Sequence, residues 1–268
     1  SPGGDSVAFV RGEDLYLMRL TDGEERRLTT GGEPGVTLNG RTDWVYWEEL
    51  WGRDSTGFWW GPEGDRIASY QFDETPVGEY ALVDFQHQYP AIEWQKYPKA
   101  GEDNPRVRVG VLDLAGGETV WMDTGDPDAW YLPRVDWLPG GGLAVQRLDR
   151  DQSLLEILRC DPDTGACAVW VSESRATWVD VTNDYHFLPD GRLIWPSERS
   201  GWNQLYLVDA AGEVVNAITA LDGAVTALIG LDAAGDVIYR GYGGPPLGAL
   251  SRQVWRAPLD GSAAERVS

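Results

Sequence analysis

Short apolar runs recur along the chain, each set off by a cluster of turn residues, and their order repeats. A turn rich in Pro and Gly leads into an apolar run, then a second run ending near Asp, then another Gly turn and a more polar run. The first copy opens at Ser1-Pro2-Gly3-Gly4-Asp5, continues through Val7-Ala8-Phe9-Val10 and Leu15-Tyr16-Leu17-Met18, and reaches Asp22-Gly23 and Arg27-Leu28. Later copies open at Gly61-Pro62-Glu63-Gly64, Leu138-Pro139-Gly140-Gly141, Leu188-Pro189-Asp190-Gly191 and Asp232-Ala233-Ala234-Gly235. Runs this short and rich in β-branched and aromatic residues predict strands rather than helices. A unit of four short strands that buries its faces only against like units predicts an all-β fold of β-propeller type, with about five four-stranded blades in this chain. The expected blades cover residues 1–35, 57–125, 131–173, 178–222 and 226–268, with inner strands at Val7–Val10, Ile67–Tyr70, Leu143–Gln146, Leu193–Trp195 and Val237–Tyr239.

Two stretches break this rhythm. Tyr80 to Asn104 intervenes inside the second unit, and its Tyr89-Pro90, Tyr97-Pro98 and Asn104-Pro105 steps favour extended or turn backbone, so a loop or extended arm is expected. The segment 39–53 separates the first two units and carries Glu48-Glu49 beside Trp47 and Trp51. Successive strand residues point to opposite faces, so two carboxylates directed at one ligand require a helical turn there.

Composition narrows the partners. The formal net charge of −21 repels phosphate backbones and anionic lipid surfaces, which excludes nucleic-acid and membrane-surface binding through general electrostatics. There is no apolar run of the length that spans a bilayer. Much of the acidity is expected to serve as a solvating surface. A chain of 268 residues needs no second domain to bury a sizeable core.

The chemistry of the common enzyme classes is missing. A serine peptidase needs a nucleophile on a sharp strand-to-helix turn with a His base and an orienting acid. Neither Arg53-Asp54-Ser55-Thr56-Gly57 nor Glu198-Arg199-Ser200-Gly201 forms such an elbow, and the two histidines, His87 and His186, read as surface or structural residues. No catalytic residue, metal site or cofactor is therefore expected within this chain. Trp44, Trp59, Trp60, Trp121 and Trp137 stand at strand positions and are expected to fill the blades, although exposed Trp would suit a carbohydrate ligand. Asp73-Glu74 follows an inner strand and suggests a turn or salt-bridge role; Lys96 and Lys99 could bind an anion, although solvated loop charges are the expected reading. Cys160 and Cys167 flank the turn-forming Asp161-Pro162-Asp163-Thr164-Gly165-Ala166, so they either pair across a hairpin or stand as two thiols.

The segment Asn39-Gly40-Arg41-Thr42-Asp43-Trp44-Val45-Tyr46-Trp47-Glu48-Glu49-Leu50-Trp51 is followed in order by three further stretches. These are Trp59-Trp60-Gly61-Pro62-Glu63-Gly64-Asp65, Gln71-Phe72-Asp73-Glu74-Thr75-Pro76-Val77 and Tyr97-Pro98-Lys99-Ala100-Gly101-Glu102-Asp103-Asn104-Pro105. Together they resemble the N-terminal propeller domain of dipeptidyl-peptidase IV-like serine peptidases of the prolyl oligopeptidase superfamily. Trp47 departs from that pattern, standing where the family often has a further acidic residue. The resemblance implies that this chain holds part of a propeller of about eight blades. It also implies a non-catalytic role: gating substrates and recognising a peptide's N-terminal amine through Glu48 and Glu49. A C-terminal α/β-hydrolase domain of the same protein would then release N-terminal dipeptides with Pro or Ala in second position. A homodimer is a further expected partner. The family carries a Cys pair around a comparable hairpin, which supports a Cys160–Cys167 disulfide and an exported protein. The alternative is a propeller scaffold that binds protein or carbohydrate without peptidase activity.

Overall fold

The computed structural model describes residues 1–243 and 251–268; the stretch 244–250, inside the fifth expected blade, lies outside the described residues. Its elements are strands with one helical exception, and they form successive antiparallel sheets built mainly from consecutive segments, the arrangement of propeller blades.

The first sheet has three strands, Ser6–Arg11, Asp14–Arg19 and Glu25–Arg27. The run Val7–Val10, expected as an inner strand, therefore lies at an edge of its described sheet. In the second sheet the order is Val120–Trp121, Arg106–Asp113, Arg66–Asp73 and Thr37–Asn39, with Phe58–Trp60 also paired to Arg66–Asp73. The third runs Trp130–Trp137, Leu143–Asp149, Leu154–Cys160 and Cys167–Ser174. The fourth runs His186–Phe187, Leu193–Ser197, Gln204–Val208 and Val214–Ala217, and the fifth Val225–Leu231, Val237–Tyr242, Arg252–Ala257 and Glu265–Arg266.

The chain divides into two compact units, Ser1–Val169 with Ser174–Trp178, and Trp170–Glu173 with Val179–Ser268. In the first, an aromatic group sits among aliphatic strand residues: Tyr46 meets Phe72 edge-on at 4.8 Å and Trp59 meets Tyr70 at 4.8 Å. Edge-to-face contacts of this kind add about 1 kcal/mol each beyond the burial of their area. In the second unit, Ile194, Leu205, Leu207, Val237 and Tyr239 form a separate core.

The tryptophans divide between two roles. Trp44, Trp59 and Trp137 pack against the first core, and the Trp137 indole N–H donates to the Trp59 carbonyl at 3.1 Å. Trp60 packs with a smaller cluster around Leu15 and Ile67. Trp121 corrects the expectation of a blade-filling ring: it is among the exposed large side chains, with the Arg108 guanidinium 3.6 Å from its ring centre. Close approach of that indole explains Gly110, where an added Cβ would meet Trp121 ring atoms at 2.9 Å and the Thr119 methyl at 2.5 Å.

The recurring aspartates at strand ends have a defined structural use. Asp209 Oδ1 accepts from the N–H groups of Ala211 and Glu213, and Asp232 Oδ1 from those of Ala234 and Asp236. Asp161, Asp190 and Asp260 accept from the backbone two residues on in the same way. A carboxylate that accepts backbone N–H bonds mimics a further turn of chain, and the bonds favour its charged form. The acidic composition is thus partly turn chemistry as well as solvation.

Cys160 and Cys167 are joined by a disulfide, with Cα atoms 4.1 Å apart. Between them Gly165 adopts φ +77°, and a Cβ there would meet the Trp121 carbonyl oxygen at 2.2 Å, so the tip of this hairpin requires Gly on both counts.

Within the interval Tyr80 to Asn104 an extended arm is present. Among the described residues its strands, Glu79–Asp84 and Ala91–Lys96, pair only with each other, from Glu79 opposite Lys96 to Asp84 opposite Ala91. Most of its side chains are exposed, among them Phe85, Tyr89 and Trp94.

Candidate functional site

Between two strands of the second sheet, Thr37–Asn39 and Phe58–Trp60, the chain turns into a six-residue π-helix, Val45–Leu50, which carries Glu48 and Glu49. Its start is fixed by Asp43, whose carboxylate accepts from the N–H groups of Val45 at 3.0 Å and Tyr46 at 3.1 Å. Those are amides that a helix start leaves without partners inside the helix. Burial raises the Asp43 carboxyl to about 6, against the two backbone bonds that lower it. The wide turn closes when the Trp51 N–H donates to the Tyr46 carbonyl at 2.9 Å, a bond across five residues. The exit bends sharply, with positive φ at Gly52 (62°) and Arg53 (76°). The latter is uncommon for a residue with a side chain and costs about 1 kcal/mol or more unless its surroundings hold it there.

Tertiary contacts clamp this turn from one side. The Tyr46 ring is 1% exposed, and its hydroxyl accepts from the Leu132 N–H at 2.7 Å. Leu132 in turn accepts at its carbonyl from the Tyr70 hydroxyl. Arg134, from the same strand as Leu132, donates to the Leu50 carbonyl at 3.1 Å and lies 5.1 Å from the centre of the Trp51 ring. The helix is held at its start by Asp43, in its middle by Tyr46 and at its end by Arg134.

The two carboxylates differ in environment. Arg53 grips Glu48 with Nε and Nη2, each 3.2 Å from a carboxylate oxygen. Glu49 is exposed, and among the described residues no ion pair or side-chain hydrogen bond engages it. A cavity of about 710 Å³ borders the same segment and is lined by Asp43, Trp44 and Trp47, but by neither glutamate. Its other walls come from Glu13 and Arg41, from Glu74, and from the arm residues Glu93 and Lys96.

Glu74 takes part in the expected turn through its carbonyl, which accepts from the Val77 N–H at 3.0 Å, but among the described residues its side chain forms no turn bond or salt bridge. The side-chain part of the turn belongs to Asp73, whose carboxylate accepts from the Thr75 N–H and hydroxyl and lies 3.6 Å from Arg106. Glu74 itself is buried, 6% exposed, and borders the cavity. Burial pushes its carboxyl up to about 7, with the negative charges of Asp43 and Glu13 adding to the shift and Arg41 and Lys96 opposing it. Lys96 likewise is no loop charge; it sits in a strand, donates to the Val77 carbonyl at 2.9 Å and lies 3.8 Å from Glu79. Lys99 lies 5.4 Å from the centre of the Tyr80 ring. Sequence reasoning also left Asp43, Tyr46, Arg53 and Arg134 without roles.

Both histidines are exposed, His87 within 3.5 Å of Asp84 and His186 in a short strand. Among the described residues no group of three or more His, Cys, Asp or Glu side chains is placed to hold a metal ion. No described helix is long and apolar enough to cross a membrane.

A β-propeller domain with a clamped acidic turn between two strands of its second sheet is the class that this geometry defines. The chain belongs to the dipeptidyl peptidase IV (DPP IV) N-terminal region family, whose model matches residues 1–268. It is 31% identical over 255 residues to dipeptidyl peptidase 4 of Arthroderma otae, an alignment covering 89% of this chain and 32% of that protein. It is 26% identical over 275 residues to the inactive dipeptidyl peptidase 10 of Rattus norvegicus, covering 96% of this chain and 34% of that one. The crystal structure of Porphyromonas gingivalis dipeptidyl peptidase 4 superposes with a TM-score of 0.90 at 29% identity, over 100% of this chain and 38% of that chain. The chain thus spans about a third of the length of the curated relatives it matches.

Proposed function

We propose that this chain is the substrate-recognition part of a dipeptidyl-peptidase IV-like serine exopeptidase, with Glu48 and Glu49 receiving the α-ammonium of a peptide substrate. An ammonium group has three N–H donors and needs anionic acceptors converging on it. The observation that carries the reading is the clamped π-helical turn, which keeps adjacent carboxylates out of strand alternation and braces them through Asp43, Tyr46 and Arg134. An ammonium at about 4 Å from a carboxylate gains roughly 4 kcal/mol in an effective dielectric near 20, before desolvation. Arg53 shares Glu48, so Glu49 offers the larger net attraction and Glu48 the fixed direction. Catalysis would belong to a C-terminal α/β-hydrolase domain, with the propeller gating access to it and dipeptides ending in Pro or Ala as products. The exposed apolar side chains of the arm suit contact with a second copy of the protein.

Kinetics of the full-length protein test the reading. Glu49→Gln should lower kcat/KM on dipeptidyl substrates by at least about tenfold, and Glu48→Gln similarly, while hydrolysis of a small amine-free ester stays within about twofold. Equal losses on both substrate types, or none on either, would remove the amine-receptor role.

A second reading is a propeller that binds partners without cutting. Its support is the similarity, along 96% of this chain, to a relative described as inactive. Absence of turnover of any dipeptidyl substrate by the full-length protein, with the fold intact, would favour it.

A further inference from the structure

The cavity beside the acidic turn has a composition that points to a ligand. Five carboxylate side chains line it, those of Glu13, Asp43, Glu74, Glu79 and Glu93, against two cations, Arg41 and Lys96. Both cations already have partners: Arg41 lies 3.2 Å from Glu13, and Lys96 donates to Val77 and approaches Glu79. Asp43 is occupied by the backbone N–H groups of Val45 and Tyr46. Glu74 alone is both more than nine-tenths buried and, among the described residues, without a hydrogen bond or ion pair for its carboxyl.

A carboxyl this enclosed, whose oxygens reach open space only through the cavity, is poorly solvated when charged, and a cation in the cavity would compensate it. Trp44, Trp47 and Trp94 also border the cavity. Aromatic faces together with a carboxylate suit an organic cation, and a guanidinium best of all: it is planar, weakly hydrated, stacks on indole and bonds a carboxylate through two parallel N–H groups. We propose that this cavity is a binding site for a guanidinium group, with Glu74 as its anionic receptor and the tryptophans as its walls. The site is separate from the amine-receptor role of Glu48 and Glu49, neither of which lines it.

A guanidinium beside Glu74 would favour the carboxylate form, so binding should weaken as the pH falls. The groups facing Glu74 are Asp43 ahead of the π-helix, the Glu13–Arg41 pair and Lys96 on the arm. Asp43 also titrates in this range, at about 6. The part of the pH dependence that disappears on Glu74→Gln is the part due to Glu74.

The test uses N-acetyl-argininamide, which has a guanidinium and no α-amine, and its neutral isostere N-acetyl-citrullinamide, with calorimetry on the full-length protein. The arginine compound should bind at least about tenfold more tightly than the citrulline compound at pH 8. That preference should shrink toward pH 5, vanish in Glu74→Gln and survive Glu48→Gln and Glu49→Gln. No preference for the charged compound, or unchanged binding in Glu74→Gln, would overturn the assignment. Loss in the Glu48 or Glu49 variants alone would show that the probe reports the amine site instead, and would also overturn it. Should Glu74→Gln fail to fold, the pH series on the unaltered protein decides: affinity independent of pH between 5 and 8 would overturn the proposal.

Discussion

The Tyr46 hydroxyl accepts a hydrogen bond from the Leu132 N–H at 2.7 Å, across 86 residues of sequence. It joins the middle of the π-helix to a strand of the third sheet, so the position of the acidic pair depends on a backbone amide that belongs to another blade. Replacing Tyr46 by Phe keeps the ring and leaves that buried N–H without its acceptor. The expected cost is about 1–3 kcal/mol, read as a lower urea midpoint at unchanged m-value. In the full-length protein the same variant should raise KM for dipeptidyl substrates. A stability loss below about 0.5 kcal/mol would mean that water replaces the tyrosine oxygen.

Asp43 supplies two acceptors at the start of the same helix. Asp43→Ala is expected to cost about 1 kcal/mol from the lost cap. Asp43→Asn keeps an acceptor, removes a buried charge and should cost less. Denaturant titration of the two variants side by side measures the difference; equal losses would assign the effect to charge rather than to acceptor geometry.

The pH dependence of stability separates two kinds of carboxylate. Glu74 has a folded-state value raised to about 7 from an ordinary 4.5, so folded protein binds the extra proton and stability falls as the pH rises through that window. Glu74→Gln should therefore raise the melting temperature by roughly 3 °C at pH 8 and leave it nearly unchanged near pH 4.5. The turn aspartates Asp161, Asp190, Asp232 and Asp260 are lowered, mainly by bonds from neighbouring backbone and side-chain donors. Their contribution is present above the ordinary Asp range and is lost as the pH falls through their folded values. Asp232→Ala should accordingly destabilise at neutral pH and lose its effect in acid. A thermal-melt series from pH 3 to 8 distinguishes the two patterns.

The Cys160–Cys167 disulfide closes a short loop, so removing it relieves little chain entropy. Cys160→Ser with Cys167→Ser is expected to cost about 2 kcal/mol or less, with far-ultraviolet dichroism unchanged. A loss of sheet signal on reduction would show that the hairpin depends on the bond to form.

The strand rhythm was legible because each unit repeats turn, apolar run and Asp-terminated run, and because the buried parity within a strand follows from its pleat. A helical turn at Glu48-Glu49 was legible from the demand that adjacent side chains share a face. That it is a π turn was not, because the widened turn is fixed by contacts with a strand more than eighty residues away: Leu132 of that strand bonds Tyr46, and Arg134 of the same strand bonds Leu50. The turn at Asp73-Glu74 was legible, but the burial of the Glu74 side chain was not, because it depends on the cavity walls brought from Glu13, Arg41 and the arm. Trp121 was misjudged for the opposite reason, since its strand of two residues, Val120–Trp121, ends the sheet and leaves the indole to Arg108 rather than to a neighbouring core.

The arm returns to its own starting point. The Tyr97 N–H donates to the Gly78 carbonyl at 2.9 Å, so the two ends of the hairpin are bonded to each other at its base. Chain between those ends can lengthen, shorten or change sequence without altering the register of the sheet from which it springs. Yet Glu79, Glu93, Gln95 and Lys96, all within it, form one wall of the cavity that holds Glu74. Variation in a segment to which the blade is indifferent would therefore reshape that cavity, which lets its selectivity change separately from the architecture that carries it.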